Sequence, residues 1–171
     1  MMKKFLLVLF CTVCVNISAM ATNYPNNATG FIVACQKGET NTVENYIQSG
    51  MNVNKPYMDA TPLIMAIYSG NDQTVELLLK NGADPNLERA TLTPLHFAIR
   101  RQQSDIVNLL IKYNVDVNQK CKNILPINFA IQKKNDVIVK MLLDAGAKTD
   151  EKTTKLVKKT KNQEIKKMLD K

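Results

Sequence analysis

The chain has 171 residues and a formal net charge of +8, with one His, no Trp and four Cys. That length suits a single domain with a core of its own. One His and scattered Cys exclude a His/Cys metal centre, and no Gly-rich phosphate loop is present.

The first predicted element is a targeting segment. Lys3 and Lys4 form a basic start, Phe5 to Val15 is an apolar run of 11 residues, and Ser18-Ala19-Met20-Ala21 places small residues ahead of a cleavage point after Ala21. This pattern predicts a secretory signal peptide over residues 1–21, then a short leader over 22–27. A transmembrane helix needs about 17–25 apolar residues, so the run is too short to span, and nothing later is long enough. Cys11 and Cys14 follow Phe10 and Val13, where a lipobox needs a small residue, which argues against a lipid anchor. The paired lysines and an Asn-, Lys- and Ile-rich composition point to a bacterial source. The periplasm is the expected destination, with secretion second. Asn27-Ala28-Thr29 spells a glycosylation acceptor, which would carry no meaning in a bacterium.

From residue 28 the chain repeats itself. Thr61-Pro62-Leu63-Ile64-Met65-Ala66, Thr93-Pro94-Leu95-His96-Phe97-Ala98 and Leu125-Pro126-Ile127-Asn128-Phe129-Ala130 start 32 residues apart. A fixed period in this range marks a stacked array in which no unit buries its apolar face alone. Columns recur at that spacing. Ala34, Ala66, Ala98 and Ala130 form one, suited to a close approach of two helices. Phe31, Leu63, Leu95 and Ile127 form a second, and Cys35, Ile67, Ile99 and Ile131 a third. Further on, Val75, Leu78 and Leu79 fall at i, i+3 and i+4, one stripe of a helix. The stripe returns as Val43, Tyr46 and Ile47, as Val107, Leu110 and Ile111, and as Val139, Leu142 and Leu143.

Each unit therefore reads as a short helix, a tight turn, a longer helix and an extended loop. Pro62, Pro94 and Pro126 suit the first helical turn, where no amide donor is needed. Gly38 and Gly70 end the first helix of their units, and Asp72, Ser104 and Asn135 are the expected N-caps of the second. Gly50, Gly82 and Gly146, with Asn114 as substitute, supply a left-handed stop. The units run over about 28–59, 60–91, 92–123 and 124–151. Leu156, Val157, Ile165, Met168 and Leu169 sketch a shortened cap over 152–171.

These residues resemble the ankyrin-repeat family. The likeness rests on Thr-Pro-Leu-His-Phe-Ala at 93–98, on Val-Glu-Leu-Leu-Leu-Lys-Asn-Gly-Ala-Asp-Pro-Asn at 75–86, and on Met-Leu-Leu-Asp-Ala-Gly-Ala at 141–147, and it covers residues 28–171. The period is one short of the roughly 33 usual in the family, because the stretch from Asn86 to Thr93 is shorter. Asp59, Thr91 and Asn123 stand where a Gly normally precedes Thr-Pro. The resemblance implies an all-α solenoid of stacked helix-turn-helix units joined by hairpin-like loops. It gives His96 a structural role, hydrogen bonding between neighbouring repeats. It also implies that a protein partner meets the hairpin tips and the concave side of the first helices. At the tips stand Tyr57, Met58, Arg89, Ala90, Cys121 and Lys122, and on the helices Tyr68, Ser69, Arg100, Arg101, Gln132 and Lys133. Tyr and Arg are enriched at binding hot spots. The candidate partner-binding set is thus Tyr57, Met58, Tyr68, Arg89, Arg100, Arg101, Lys122 and Lys133, facing an acidic patch.

Catalytic residues, metal ligands and cofactors are not expected. His96 is the sole candidate for a triad, and the carboxylates of Asp72, Glu76, Asp105 and Asp136 recur where helix starts and solubility explain them. Cys35 and Cys121 lie 86 residues apart, too far along a stack to meet within the roughly 7 Å a disulfide needs. Cys35 falls in a core column, whereas Cys121 is expected exposed at a tip. Residues 148–171 hold nine Lys against Asp150, Glu151, Glu164 and Asp170. A solvated capping face explains that surplus most simply. The expected function is a monomeric, exported protein-binding module that does not take nucleic acid. Two rivals stand beside it: a dedicated inhibitor or protector of an exported enzyme or toxin, and a surface or polyanion binder working through the Lys-rich cap.

Overall fold

The computed structural model describes residues 26–57, 60–88 and 92–169; the expected signal peptide lies outside them. Within them ten helices and no strand build an all-α repeat solenoid. The helices come in pairs: α1 (Asn26–Lys37) with α2 (Thr40–Gln48), α3 (Pro62–Ser69) with α4 (Asp72–Lys80), and α5 (Pro94–Arg100) with α6 (Ser104–Lys112). Then follow α7 (Pro126–Gln132) with α8 (Asp136–Asp144), and α9 (Glu151–Lys159) with α10 (Gln163–Leu169). The odd-numbered helices pack side by side as one layer and the even-numbered ones as a second.

Local chemistry sets the helix ends. Pro62, Pro94 and Pro126 each open a first helix, where the missing amide costs nothing. Thr61 and Thr93 cap two of them, their hydroxyls accepting from the Ile64 and His96 amides at 3.2 Å. For the second helices, Asn135 caps α8 as expected, accepting from the Ile138 amide at 3.0 Å. Asp72 and Ser104 do not cap; each is the first helical residue. The cap column runs one position earlier, through Asn71, which accepts from the Thr74 amide at 2.9 Å. It continues at Gln103, whose amide instead donates across repeats to the Ile67 carbonyl at 2.9 Å. Asp72 stays in the first turn, where the helix dipole favours a carboxylate. Gly38 and Gly70 end the first helices at φ of 71° and 72°, and Gln102 and Lys134 hold the same left-handed position at 59° and 57°.

The expected columns form the core. The alanine column, its apolar neighbours and the Val43, Val75, Val107, Val139 column are all buried. Another column, Thr74, Ile106 and Ile138, is buried beside the valines without having been singled out. Each buried Leu or Ile contributes about 1.5–3 kcal/mol. Polar side chains also tie the repeats together. Asn54 donates to the Gly82 carbonyl and accepts from the Asp84 amide, both at 2.8 Å. Asn86 accepts from the Asp116 amide at 2.7 Å. Asn118 donates to the Gly146 carbonyl at 3.2 Å and accepts from the Lys148 amide at 2.7 Å. The final pair differs in spacing: Thr153 bonds Asn128 from only 25 residues away, so the cap lacks a hairpin. A capping box starts α9, the Asp150 carboxylate accepting from the Thr153 amide at 2.9 Å and the Thr153 hydroxyl from the Asp150 amide at 3.0 Å.

Two tip expectations are overturned. Cys121 is 1% exposed and Tyr57 is 7% exposed. Both flank a two-residue turn. The Cys121 and Ile124 backbones exchange hydrogen bonds of 3.0 and 2.9 Å, and Tyr57 and Ala60 exchange bonds of 3.0 and 3.3 Å. Closing the Cys121–Ile124 turn buries the Cys121 side chain, so that this tip displays Lys122 and Asn123. Tyr57 meets Phe31 edge-on, with ring centroids 6.4 Å apart.

Candidate functional site

The first-helix layer brings together three of the expected contact residues. Arg100 is the last residue of α5 and Arg101 caps it, its amide donating to the Phe97 carbonyl at 3.1 Å. Helix C-termini favour cations, which suits both guanidiniums. Tyr68 approaches from the preceding first helix. The Arg101 guanidinium lies over the Tyr68 ring at 4.8 Å, the Arg100 guanidinium over the Phe97 ring at 5.3 Å, and the two rings lie 6.5 Å apart. Each such contact is worth about 0.5–1 kcal/mol where solvent reaches it.

The pair is short of counter-charge. Among the described residues, neither guanidinium has a carboxylate within ion-pair reach. Arg100 is half-buried and Arg101 exposed. Burial, and then the charge of Arg101 beside it, pull the Arg100 guanidinium below its usual value. Two guanidiniums held side by side on aromatic rings offer N–H donors to a carboxylate, which would accept from them.

The other expected residues are placed less closely. Lys133 caps α7 in the column of Arg101 and is exposed. Lys122 stands exposed in the Cys121–Ile124 turn at φ 47°, with Asn123 at 60°. Tyr57 is buried against Phe31 and drops out as an exposed anchor. Met58 and Arg89 lie outside the described residues. Phe97, the ring beneath Arg100, was not anticipated as part of the face. Its place immediately before the Ala column was the signal available, since Met65 and Phe129 hold the same position.

His96 sits in the core at 0% exposure. Its Nδ1 accepts from the Thr93 hydroxyl at 2.8 Å and its Nε2 donates to the Ile124 carbonyl of the next repeat at 3.1 Å. Phe129 packs edge-on against it at 5.1 Å. This is the role between repeats that the Thr-Pro-Leu-His motif implied. Among the described residues no group of three or more His, Cys, Asp or Glu could hold a metal ion, and no helix is long and apolar enough to cross a membrane.

A family model described as ankyrin repeats (3 copies) matches residues 4–89 and 88–153. None of the curated proteins matches.

Proposed function

The chain belongs to the ankyrin-repeat family, whose repeats indicate a protein–protein interaction module, and we propose that it is exported and binds its partner through the first-helix face centred on Tyr68, Arg100 and Arg101. The observation that carries this reading is the guanidinium pair held on Tyr68 and Phe97 at 4.8 and 5.3 Å, with no carboxylate among the described residues within ion-pair reach. An acidic patch on the partner completes it: carboxylates satisfy the two arginines while Tyr68 supplies apolar contact. Lys133 and Lys122 extend the cationic surface along the stack. Export rests on Lys3, Lys4, the apolar run from Phe5 to Val15 and the small residues ending at Ala21, and the periplasm is its proposed destination.

The test is a pull-down of tagged protein from the native cell envelope, then affinity measured for the partner recovered. Replacing Arg100 and Arg101 with Ala should weaken that complex by at least about 2 kcal/mol, with the circular dichroism spectrum unchanged. Equal affinity of the folded double variant would remove the proposed face.

A further inference from the structure

We propose that the terminal helix pair, α9 with α10, docks on an anionic lipid surface. The first support is where the charge lies. Residues 28–147 carry twelve Lys and Arg against eleven Asp and Glu, whereas residues 148–171 carry nine against four. The body of the stack is close to neutral and its last unit is strongly basic. A soluble capping face asks only for polar residues, and both signs serve it, so solubility alone does not call for the excess to be one-sided.

The carboxylates that begin the cap are already engaged by groups other than the remaining lysines. Asp150 is engaged in the capping box and accepts from the Asn128 amide at 3.1 Å. Glu151 pairs with Lys155 at 2.6 Å. Lys152 donates to the Asn123 carbonyl at 2.9 Å. Lys158, Lys159, Lys161 and Lys167 are exposed, and no carboxylate among the described residues lies within ion-pair reach of them. Thr153 and Val157 turn into the stack, and the exposed side of α9 carries Lys152, Lys155, Lys158 and Lys159 with Glu151 and Thr154.

Residue type selects among anionic partners. Every cation in residues 148–171 is Lys, and the segment has no aromatic residue. Protein interfaces favour Arg, Tyr and Trp and are depleted in Lys. Single-stranded nucleic acid is held by stacking on rings, which this segment cannot offer. A membrane surface asks only for several mobile point charges within a Debye length of its headgroups, and lysines provide that. The proposal is independent of the Arg100–Arg101 face, which lies on other repeats and remains available.

Co-sedimentation of the full chain with vesicles of phosphatidylcholine, with and without phosphatidylglycerol, tests it. Binding is expected only where phosphatidylglycerol is present, and should fall steeply with salt. Lys158, Lys159, Lys161 and Lys167 changed together to Gln should reduce it, on the order of fivefold per charge removed. The same four changed to Arg should restore it, and Arg100→Gln with Arg101→Gln should leave it intact. A native circular dichroism melt for each variant establishes that the stack is folded. Three results would overturn the proposal: no binding to phosphatidylglycerol vesicles, binding to phosphatidylcholine alone through the apolar N-terminal run, or binding unchanged in the Gln variant. So would tighter binding to polyphosphate or DNA than to the vesicles, which would make the cap a general polyanion site.

Discussion

At the scale of single residues, His96 does its work only as a neutral ring, because one nitrogen accepts from the Thr93 hydroxyl while the other donates to the Ile124 carbonyl. Burial lowers its pKa from 6.5 to about 4, against a smaller opposing effect of the Ile124 hydrogen bond. Between those values the unfolded chain takes up a proton that the folded chain refuses, so stability falls as pH falls through that window. Above it both states are neutral, and below it both are protonated and this residue adds no further loss. The whole step amounts to roughly 3 kcal/mol. Asn128 stands one repeat on and bonds the cap through its amide, so His96→Asn should fold. Urea unfolding across this pH range should show a steeper decline for the natural chain than for His96→Asn; parallel declines would mean that other groups carry the effect. The thiols make a second residue-level case. Burial pushes Cys35 up to about 12 and also raises Cys121, with Glu88 adding to the rise and Lys122 opposing it. The thiolate is the reactive form. In a chain with Cys11→Ser and Cys14→Ser, a soluble disulfide reagent should therefore react slowly until the protein is unfolded. One fast equivalent from the native protein would return Cys121 to the exposed position first expected for it.

At the scale of elements, the turn after each first helix shows what period alone does and does not reveal. Gly38 and Gly70 take the left-handed conformation without a side-chain penalty, whereas Gln102 and Lys134 adopt it with a Cβ in place, at a cost of about 1 kcal/mol each. Lys134→Gly and Gln102→Gly should each raise stability by about 0.5–1 kcal/mol. Gly38→Ala should lower it by more, since its new Cβ would fall 2.8 Å from Cβ of Asn71. Thermal melts decide this, and an unaltered or lower midpoint for Lys134→Gly would mean that the turn carries no such strain. The same elements mark the limit of legibility. Val75, Leu78 and Leu79 could be read as a buried stripe because helical spacing alone defines it. Pro62, Pro94 and Pro126 fixed the helix starts for a similarly local reason. The caps slipped by one because Asp72 and Ser104 are good capping types lying beside the true column. Cys121 and Tyr57 looked exposed because closeness to a tip was read as exposure, and the two-residue turn folds its flanks inward. Of the candidate face, Tyr68 and Arg100 could be placed from one column and Arg101 from the next, both just after the Ala column. The ring contacts that order the arginines depend on rotamers, and no spacing encodes those.

At the scale of the molecule, the stack behaves as a row in which each pair is stabilised mainly by its neighbours, and the cap then carries two separable loads. One is structural. α9 and α10 pack on α7 and α8, and Thr153 and Asp150 hold the buried Asn128 at 2.7 and 3.1 Å. The other is the proposed electrostatic one, carried by lysines whose ammonium groups face water. Deleting residues 150–171 should uncover the α7 and α8 core positions Ile127, Ile138 and Leu142, now fully buried, and leave the Asn128 amide without its partners. Losing one buried polar group's bonds costs about 1–3 kcal/mol, and the uncovered apolar side chains add roughly 1.5–3 kcal/mol apiece at full exposure. A row of nearest neighbours should answer locally. Amide hydrogen exchange in the truncated chain is expected to lose protection in α7 and α8 first, while α3 and α4, two pairs away, stay protected. The four-lysine Gln variant should show the natural exchange pattern throughout, because none of its changed side chains touches that core. Uniform loss of protection from α1 to α8 on truncation would mean that the stack unfolds as one unit, and the separation of the cap's two loads would then have to be sought in equilibrium stability.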